Sequence, residues 1–292
     1  MKSIKFLIAD IFNKKLNIHI DKIVKQSDAY TNLVYKVDSG NESFIYKKFE
    51  HLNLFENLVL EKMSLPEILV SEHDYRIERF IKHKKVDFKN DCKEIAVALK
   101  KFHTTEIKDF INFKCLLLTE INKITNVKIS EILENASIKI FNIIKNNQGK
   151  NVLCHNDLQP NNILKTNTII FIDFEYCSIG NNLVDIANLF CETEIDYEKN
   201  VYIKGSGYTE EDRIFFLMKY FNKNDVKCEL QKINNLEVVS HFLWFVWSVY
   251  IIKSNNNSEF DYKKYSLSRL QYLNNIFTSD EIKILLSYLN SV

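Results

Sequence analysis

At 292 residues the chain is long enough for one large domain or two lobes, and for a sizeable hydrophobic core. Hydrophobic residues at 46% and charged residues at 26% are ordinary for a soluble globular protein, and a formal net charge of +1 offers no footprint for nucleic acid or an anionic membrane surface. Six cysteines without a CxxC pair or zinc-type spacing point to reduced thiols in a cytoplasmic protein, and the N-terminal apolar run, cut short by Asp10, lacks the core of a signal peptide.

Ile4, Leu7, Ile8 and Ile11 recur at helical spacing and predict a short amphipathic helix. Strand-like runs over 18–25, 32–37 and 43–49 follow, the last two joined by the turn Asp38-Ser39-Gly40-Asn41. A helix over 55–63 stops before Pro66, and strands over 67–71 and 75–81 bring the count to five, with one helix inserted after the third. Residues 1–82 are therefore expected to form an antiparallel N-terminal lobe. After the basic linker His83-Lys84-Lys85, residues 83–292 read as a mostly helical C-terminal lobe.

One hairpin interrupts the helical pattern. Ile163 to Lys165 and Ile169 to Ile172 are rich in β-branched residues, and Thr166-Asn167-Thr168 between them is turn-prone. A hairpin brings its open ends together, so Asn162 and Asp173 are expected side by side, an amide oxygen and a carboxylate that suit Mg²⁺. Asp157, on the loop that feeds the hairpin, can face that pair and accept a proton from an incoming hydroxyl, the division of labour in kinase catalytic loops. Alone, the spacing of His155, Asp157 and Asn162 also fits a polar surface turn; the hairpin and the following Asp173-Phe174-Glu175 favour phosphoryl transfer.

Further on, Asp185-Ile186-Ala187-Asn188 starts a helix. From Phe242 to Ile252 the sequence is apolar except for Ser248, too short to span a bilayer and hydrophobic all round, so a buried helix is expected. It carries the only two tryptophans, Trp244 and Trp247, whose spacing places them at neighbouring positions on one face. Such a pair is either core packing or a surface for a cation. Thr278-Ser279-Asp280-Glu281 is a capping box opening a last amphipathic helix.

The run from Cys154 to Ile163 (CHNDLQPNNI) and then Ile172 to Tyr176 (IDFEY) resembles the choline/ethanolamine kinases, a branch of the aminoglycoside-phosphotransferase-like group within the protein-kinase-like fold. Glu192, Tyr197 and the block from Glu259 to Ser266 with Arg269 match as well, so the similarity runs from about Thr31 to about Tyr272. It implies an α+β, two-lobed kinase using ATP and Mg²⁺ to phosphorylate the hydroxyl of choline. In that reading Lys47, with Lys48 as the other candidate because strand neighbours face opposite sides, meets the nucleotide phosphates and pairs with Glu56. The backbone of Phe80 and Ile81 receives adenine, and Gln159 helps place the phosphates. Asp157 is the catalytic base, Asn162 and Asp173 hold Mg²⁺, Glu175 supports the loop, and Asp185 anchors that loop by accepting backbone hydrogen bonds, although an aspartate at a helix N-terminus needs no such role. Tyr176, Glu192, Tyr197, Trp244, Trp247 and Tyr265 form a box around the ammonium head, the carboxylate adding Coulombic attraction to the aromatic faces. One departure stands out: Ser27 to Asn32 occupies the place of a glycine-rich phosphate loop, and Asp28 and Ala29 lack glycine's freedom to bring backbone amides close to phosphate. Two rivals stay open, an ethanolamine kinase and a catalytically impaired kinase-like binding protein. Nucleic acid and a membrane span are not expected, and a homodimer is compatible with the sequence.

Overall fold

The computed structural model describes residues 4–26, 33–49, 53–254 and 260–292. Their contacts divide the chain into two compact units, Met1–Lys84 and Lys85–Val292. The segment proposed from sequence as a phosphate loop, 27–32, lies outside the described residues, as does Glu259.

In the first unit, strands β1 (Lys22–Lys25), β2 (Leu33–Ser39), β3 (Glu42–Lys48), β4 (Ile68–Ser71) and β5 (Tyr75–Arg79) form one antiparallel sheet in the order β1-β2-β3-β5-β4. Alternation decides its two faces. Tyr35 and Val37 of β2, Phe44 and Tyr46 of β3 and Ile77 of β5 point to one side and pack with Ile8 and Phe12 of helix α1 (Ile4–Leu16). Lys47 and Arg76, cross-strand partners in register, alternate with this apolar set. The first strand is shorter than the sequence predicts. Asn17 takes a left-handed conformation (φ 55) and the Ile18 N–H donates to the Phe12 carbonyl, so the first residues of the expected strand terminate α1 instead. Helix α2 (Leu54–Met63) follows β3, its N-terminus capped by Asn53, whose side chain accepts from the N–H groups of Phe55 and Glu56. That cap puts Glu56 in the first turn.

After a two-residue strand, β6 (Lys84–Lys85), the second unit carries helices α3 (Cys92–Phe102), α4 (Phe113–Asn122), α5 (Val127–Asn146), α6 (Asn182–Glu192), α7 (Glu210–Phe221), α8 (Lys227–Ser254), α9 (Tyr262–Leu270) and α10 (Ser279–Ser291). The expected hairpin is present as β8 (Ile163–Lys165) and β9 (Ile169–Phe171). Two short pairings were not foreseen: β7 (Asn151–Cys154) with β10 (Ser178–Asn181), and β11 (Ile195–Asp196) with β12 (Val201–Tyr202). Runs this short carry too little periodicity to be read from sequence. The first of them matters most, because the Cys154–Ser178 register ties together both ends of the excursion that contains the catalytic-loop candidate and the hairpin.

Helix α8 corrects a further expectation. It runs for 28 residues, well beyond the 242–252 stretch. The part over Lys227–Lys253, with a mean hydropathy of 1.3, is long and apolar enough to cross a membrane by length and composition, yet 72% of that window is buried within the protein. It packs against α4, α5, α6, α7 and α9, as the central helix of a folded unit does. The helix expected to start at Asp185 begins three residues earlier, with Asn181 as its cap, and both arms of the Thr278–Glu281 capping box are formed at α10.

Candidate active site

Helix α6 is the scaffold on which the loop after β7 is hung. Asp185, Asn188 and Glu192 recur at intervals of three and four, so they line one face. The Asp185 carboxylate accepts from two consecutive backbone N–H groups, His155 at 2.8 Å and Asn156 at 2.7 Å, and from His103 Nε2 at 2.9 Å. One turn on, Asn188 Oδ1 accepts from the Leu158 N–H at 2.8 Å. Asn156, held at φ 64, donates through Nδ2 to the Tyr176 carbonyl at 2.8 Å and to Ser178 Oγ at 2.9 Å, which links the loop to its returning strand. The left-handed conformation that asparagine tolerates is what turns the chain here. His155 completes the anchorage: its Nδ1 accepts from the Asp157 N–H and its Nε2 donates to the Ile172 carbonyl, while its ring packs among Phe102, Phe171 and Phe174. Burial holds the His155 pKa below its ordinary value, so this histidine is a neutral structural tie.

Asp157 therefore sits on a backbone with little freedom. Its Oδ2 accepts from Asn162 Nδ2 at 2.7 Å and from Gln159 Nε2 at 3.3 Å. Burial pushes its pKa well above the usual carboxylate range, and the neighbouring carboxylates of Glu192 and Asp173 push in the same direction. The amide nitrogen of Gln159, the residue expected to help place the phosphates, is turned to Asp157, and its Oε1 is buried with no partner among the described residues. Asn162 and Asp173 lie at the mouth of the hairpin, where the Ile172 N–H donates to the Asn162 carbonyl at 3.0 Å. Because the Asn162 nitrogen is held by Asp157, its oxygen is turned away from that carboxylate. An amide oxygen and a carboxylate at one hairpin mouth are hard donors that fit Mg²⁺. Asp173 itself adopts φ 64, a strained setting of the kind found at functional sites.

In the first unit, the pleat sends Lys47 and Lys48 to different surroundings. Lys48 is half-exposed and 3.9 Å from Asp74, whereas Lys47 is buried and its Nζ lies 3.2 Å from Glu56 Oε1. Arg76 Nη2 donates to the same oxygen at 2.8 Å, and Arg76 Nε to Glu78 at 2.5 Å. Burial works to raise the Glu56 pKa, but the Lys47 and Arg76 cations outweigh it and hold it down to about 2. At Phe80 the backbone N–H is engaged with the Ser43 carbonyl at 3.0 Å, and the Ile81 carbonyl is 2.7 Å from His83 Nδ1. Those two groups are thus already paired within the unit.

The aromatic residues picked out from sequence do converge. Tyr176 meets Trp244 at 5.2 Å between ring centroids, Trp244 meets Trp247 at 5.4 Å, and Trp247 meets Tyr265 at 6.3 Å, all edge to face. Neither indole N–H has a hydrogen-bond partner among the described residues, although both are buried. Tyr197 donates to Glu192. The Asp157 carboxylate is an electrostatic neighbour of the Tyr176, Tyr197 and Tyr265 phenols, whose pKa values burial raises. Sequence reasoning missed Tyr262, whose ring lies 5.7 Å from Trp247, and Phe260, 5.4 Å from Tyr265. The i,i+3 spacing of Tyr262 and Tyr265 on one helix was the available signal. It also gave Arg269 no role, although that side chain reaches Glu192 at 2.8 Å.

The family model described as choline/ethanolamine kinase matches residues 11–274. A probable choline kinase 3 from Arabidopsis thaliana is 36% identical over 141 residues, 43% of this chain and 40% of the relative. Such matches span less than half the length of the curated relatives. Among solved structures, a Plasmodium vivax ethanolamine kinase superposes with a TM-score of 0.73 at 21% identity, covering 93% of this chain and 89% of that one. A choline kinase from Cryptosporidium parvum does so with a TM-score of 0.69 at 21% identity, covering 97% and 96%. At these identities the structures establish the fold, α+β and protein-kinase-like, and leave the acceptor open.

Proposed function

The chain belongs to the choline/ethanolamine kinase family, and from that premise we propose that it transfers the γ-phosphoryl group of ATP to the hydroxyl of choline, releasing ADP and phosphocholine. Mg²⁺, held by Asn162 and Asp173, would neutralise phosphate charge when bound. Asp157 accepts the hydroxyl proton as the oxygen attacks phosphorus, and Asn162 and Gln159 orient its carboxylate through Oδ2. Lys47, kept in place by Glu56, meets the nucleotide phosphates, the pairing that kinase chemistry requires. Phe80 and Ile81 contribute backbone groups to adenine, with the Phe80 N–H excluded because Ser43 already receives it. None of the six cysteines forms a disulfide among the described residues, which suits a reaction in the cytoplasm, where ATP is available.

The observation that carries the choice of choline is the edge-to-face aromatic cluster of Tyr176, Trp244, Trp247 and Tyr265. A quaternary ammonium has no N–H of its own to donate and is held by ring faces. Ethanolamine is the competing acceptor, and a Plasmodium relative of similar fold carries that name. The intact Lys47–Glu56 pair and the ordered Asp157 support an active enzyme over an impaired binding protein.

Replacing Trp247 by Ala tests the assignment. Loss of one ring face from a desolvated cation costs on the order of 1–2 kcal/mol, which is about a five- to thirty-fold rise in the KM for choline. The KM for ATP stays within about twofold. Equal losses for choline, ethanolamine and ATP, with a lowered melting temperature, would make the tryptophans core residues and remove choline from the proposal.

A further inference from the structure

Glu192 reaches the aromatic box with both carboxylate oxygens already engaged. Oε1 accepts from Arg269 Nη2 at 2.8 Å, and Oε2 accepts from the Tyr197 hydroxyl. The same Nη2 donates to the Tyr265 hydroxyl at 2.7 Å, and Nη1 lies 3.4 Å from His241 Nδ1. Glu192 is 2% exposed and Arg269 is fully buried. The guanidinium carbon lies 5.0 Å from the Tyr265 ring centroid and 5.7 Å from that of Tyr202.

These contacts alter what the carboxylate can do. A lone buried carboxylate would attract any cation strongly, because little water screens it. A carboxylate in contact with a guanidinium presents a pair of zero net charge, and a second cation approaching from the box meets both members at once. We propose that Arg269 is a positioning and specificity-determining residue: it occupies Glu192 Oε1, offsets part of that carboxylate's charge and turns the pair into a brace for Tyr197 and Tyr265, so that the acceptor's ammonium is held chiefly by aromatic faces. The inference rests on the amino-alcohol acceptor proposed above. It reverses the sequence-based expectation that Glu192 attracts the ammonium directly. It also gives the box a direction of selectivity, since each N-methyl group trades an N–H that the engaged Glu192 oxygens are poorly placed to receive for contact with a ring.

The test uses the full chain and two measurements. The first, on the unaltered protein, is kcat/KM along ethanolamine and its N-methyl, N,N-dimethyl and N,N,N-trimethyl derivatives. A stepwise rise, by about threefold or more per methyl group, is expected; a flat or falling series overturns the proposal. The second compares Arg269→Gln with the double variant Glu192→Gln/Arg269→Gln, reading the ratio of kcat/KM for ethanolamine to that for choline. Arg269→Gln uncovers the carboxylate and raises the ratio about fivefold or more. The double variant, with two neutral amides in contact, returns the ratio to within about threefold of the parent, at lower efficiency for both acceptors. An unchanged ratio in Arg269→Gln, with a tenfold fall in the double variant, would establish Glu192 as a direct cation ligand and overturn the proposal. If the single variant does not fold, the methyl series and the double variant decide alone. Absence of turnover with every amino alcohol is a different failure, because it removes the acceptor reading itself and this inference with it.

Discussion

Asp157→Asn lowers kcat by about 10²–10⁴-fold, the range for loss of a positioned general base, while the affinities for ATP and choline stay within a few-fold. The substitution is nearly isosteric. Its remaining oxygen can still accept from Asn162 and Gln159, so the loop keeps its hydrogen bonds. Folding stability moves the other way. In the parent, burial and the nearby Glu192 and Asp173 carboxylates all disfavour the ionised form of Asp157, so the ionised state that chemistry needs is one the fold works against. A neutral amide relieves that repulsion. The melting temperature measured at pH 7 without nucleotide or Mg²⁺ is therefore expected to hold or rise in the variant. Retained kcat would remove Asp157 from the chemistry, and a sharp fall in melting temperature would mean that its role is structural.

Asp173→Asn abolishes Mg²⁺-dependent turnover, with kcat falling about 10³-fold or more, because the charge that a metal contributes to phosphoryl transfer is worth several kcal/mol. Asparagine is the informative substitution. Asp173 sits at φ 64, where asparagine is tolerated and alanine costs roughly 1–2 kcal/mol in backbone strain. An alanine variant would mix a lost ligand with a distorted hairpin mouth. The measurement is a Mg²⁺ titration of both activity and nucleotide affinity. The expected outcome is that ATP binding in Asp173→Asn no longer strengthens as Mg²⁺ is added. If the titration curves of variant and parent coincide, the metal is held elsewhere.

The parts of the site legible in the sequence are those that local geometry brings together. Asn162 and Asp173 flank one short hairpin, and any antiparallel pairing of β8 with β9 places them at the same mouth. Lys47 and Glu56 lie nine residues apart, on β3 and in the first turn of the capped helix α2, and the pleat turns Lys48 toward Asp74. Trp244 and Trp247 lie on one face of a helix whose apolar run marks it as buried. The strand that fails to begin at Ile18 shows the limit of the same logic, because the helix C-cap and the strand compete for the same amides, and the apolar pattern suits both.

Only the tertiary structure decided the rest. The resemblance named Asp185 as the anchor of the loop after β7, but that Asn188 joins it, one turn on, depends on α6 docking against residues about 30 positions earlier, and no local pattern encodes that docking. Tyr262 and Phe260 enter the aromatic cluster because α9 packs along α8. The length of α8, its central position and the burial of most of its apolar surface likewise follow from the helices around it. Glu192 makes the distinction clearest. Sequence similarity named it as a charge beside the ammonium, yet whether a carboxylate offers its charge to a ligand depends on which group occupies its oxygens. Here that group is Arg269, 77 residues away in the chain, and a Coulombic interaction in a buried site depends on distance in space and on screening, neither of which sequence separation records.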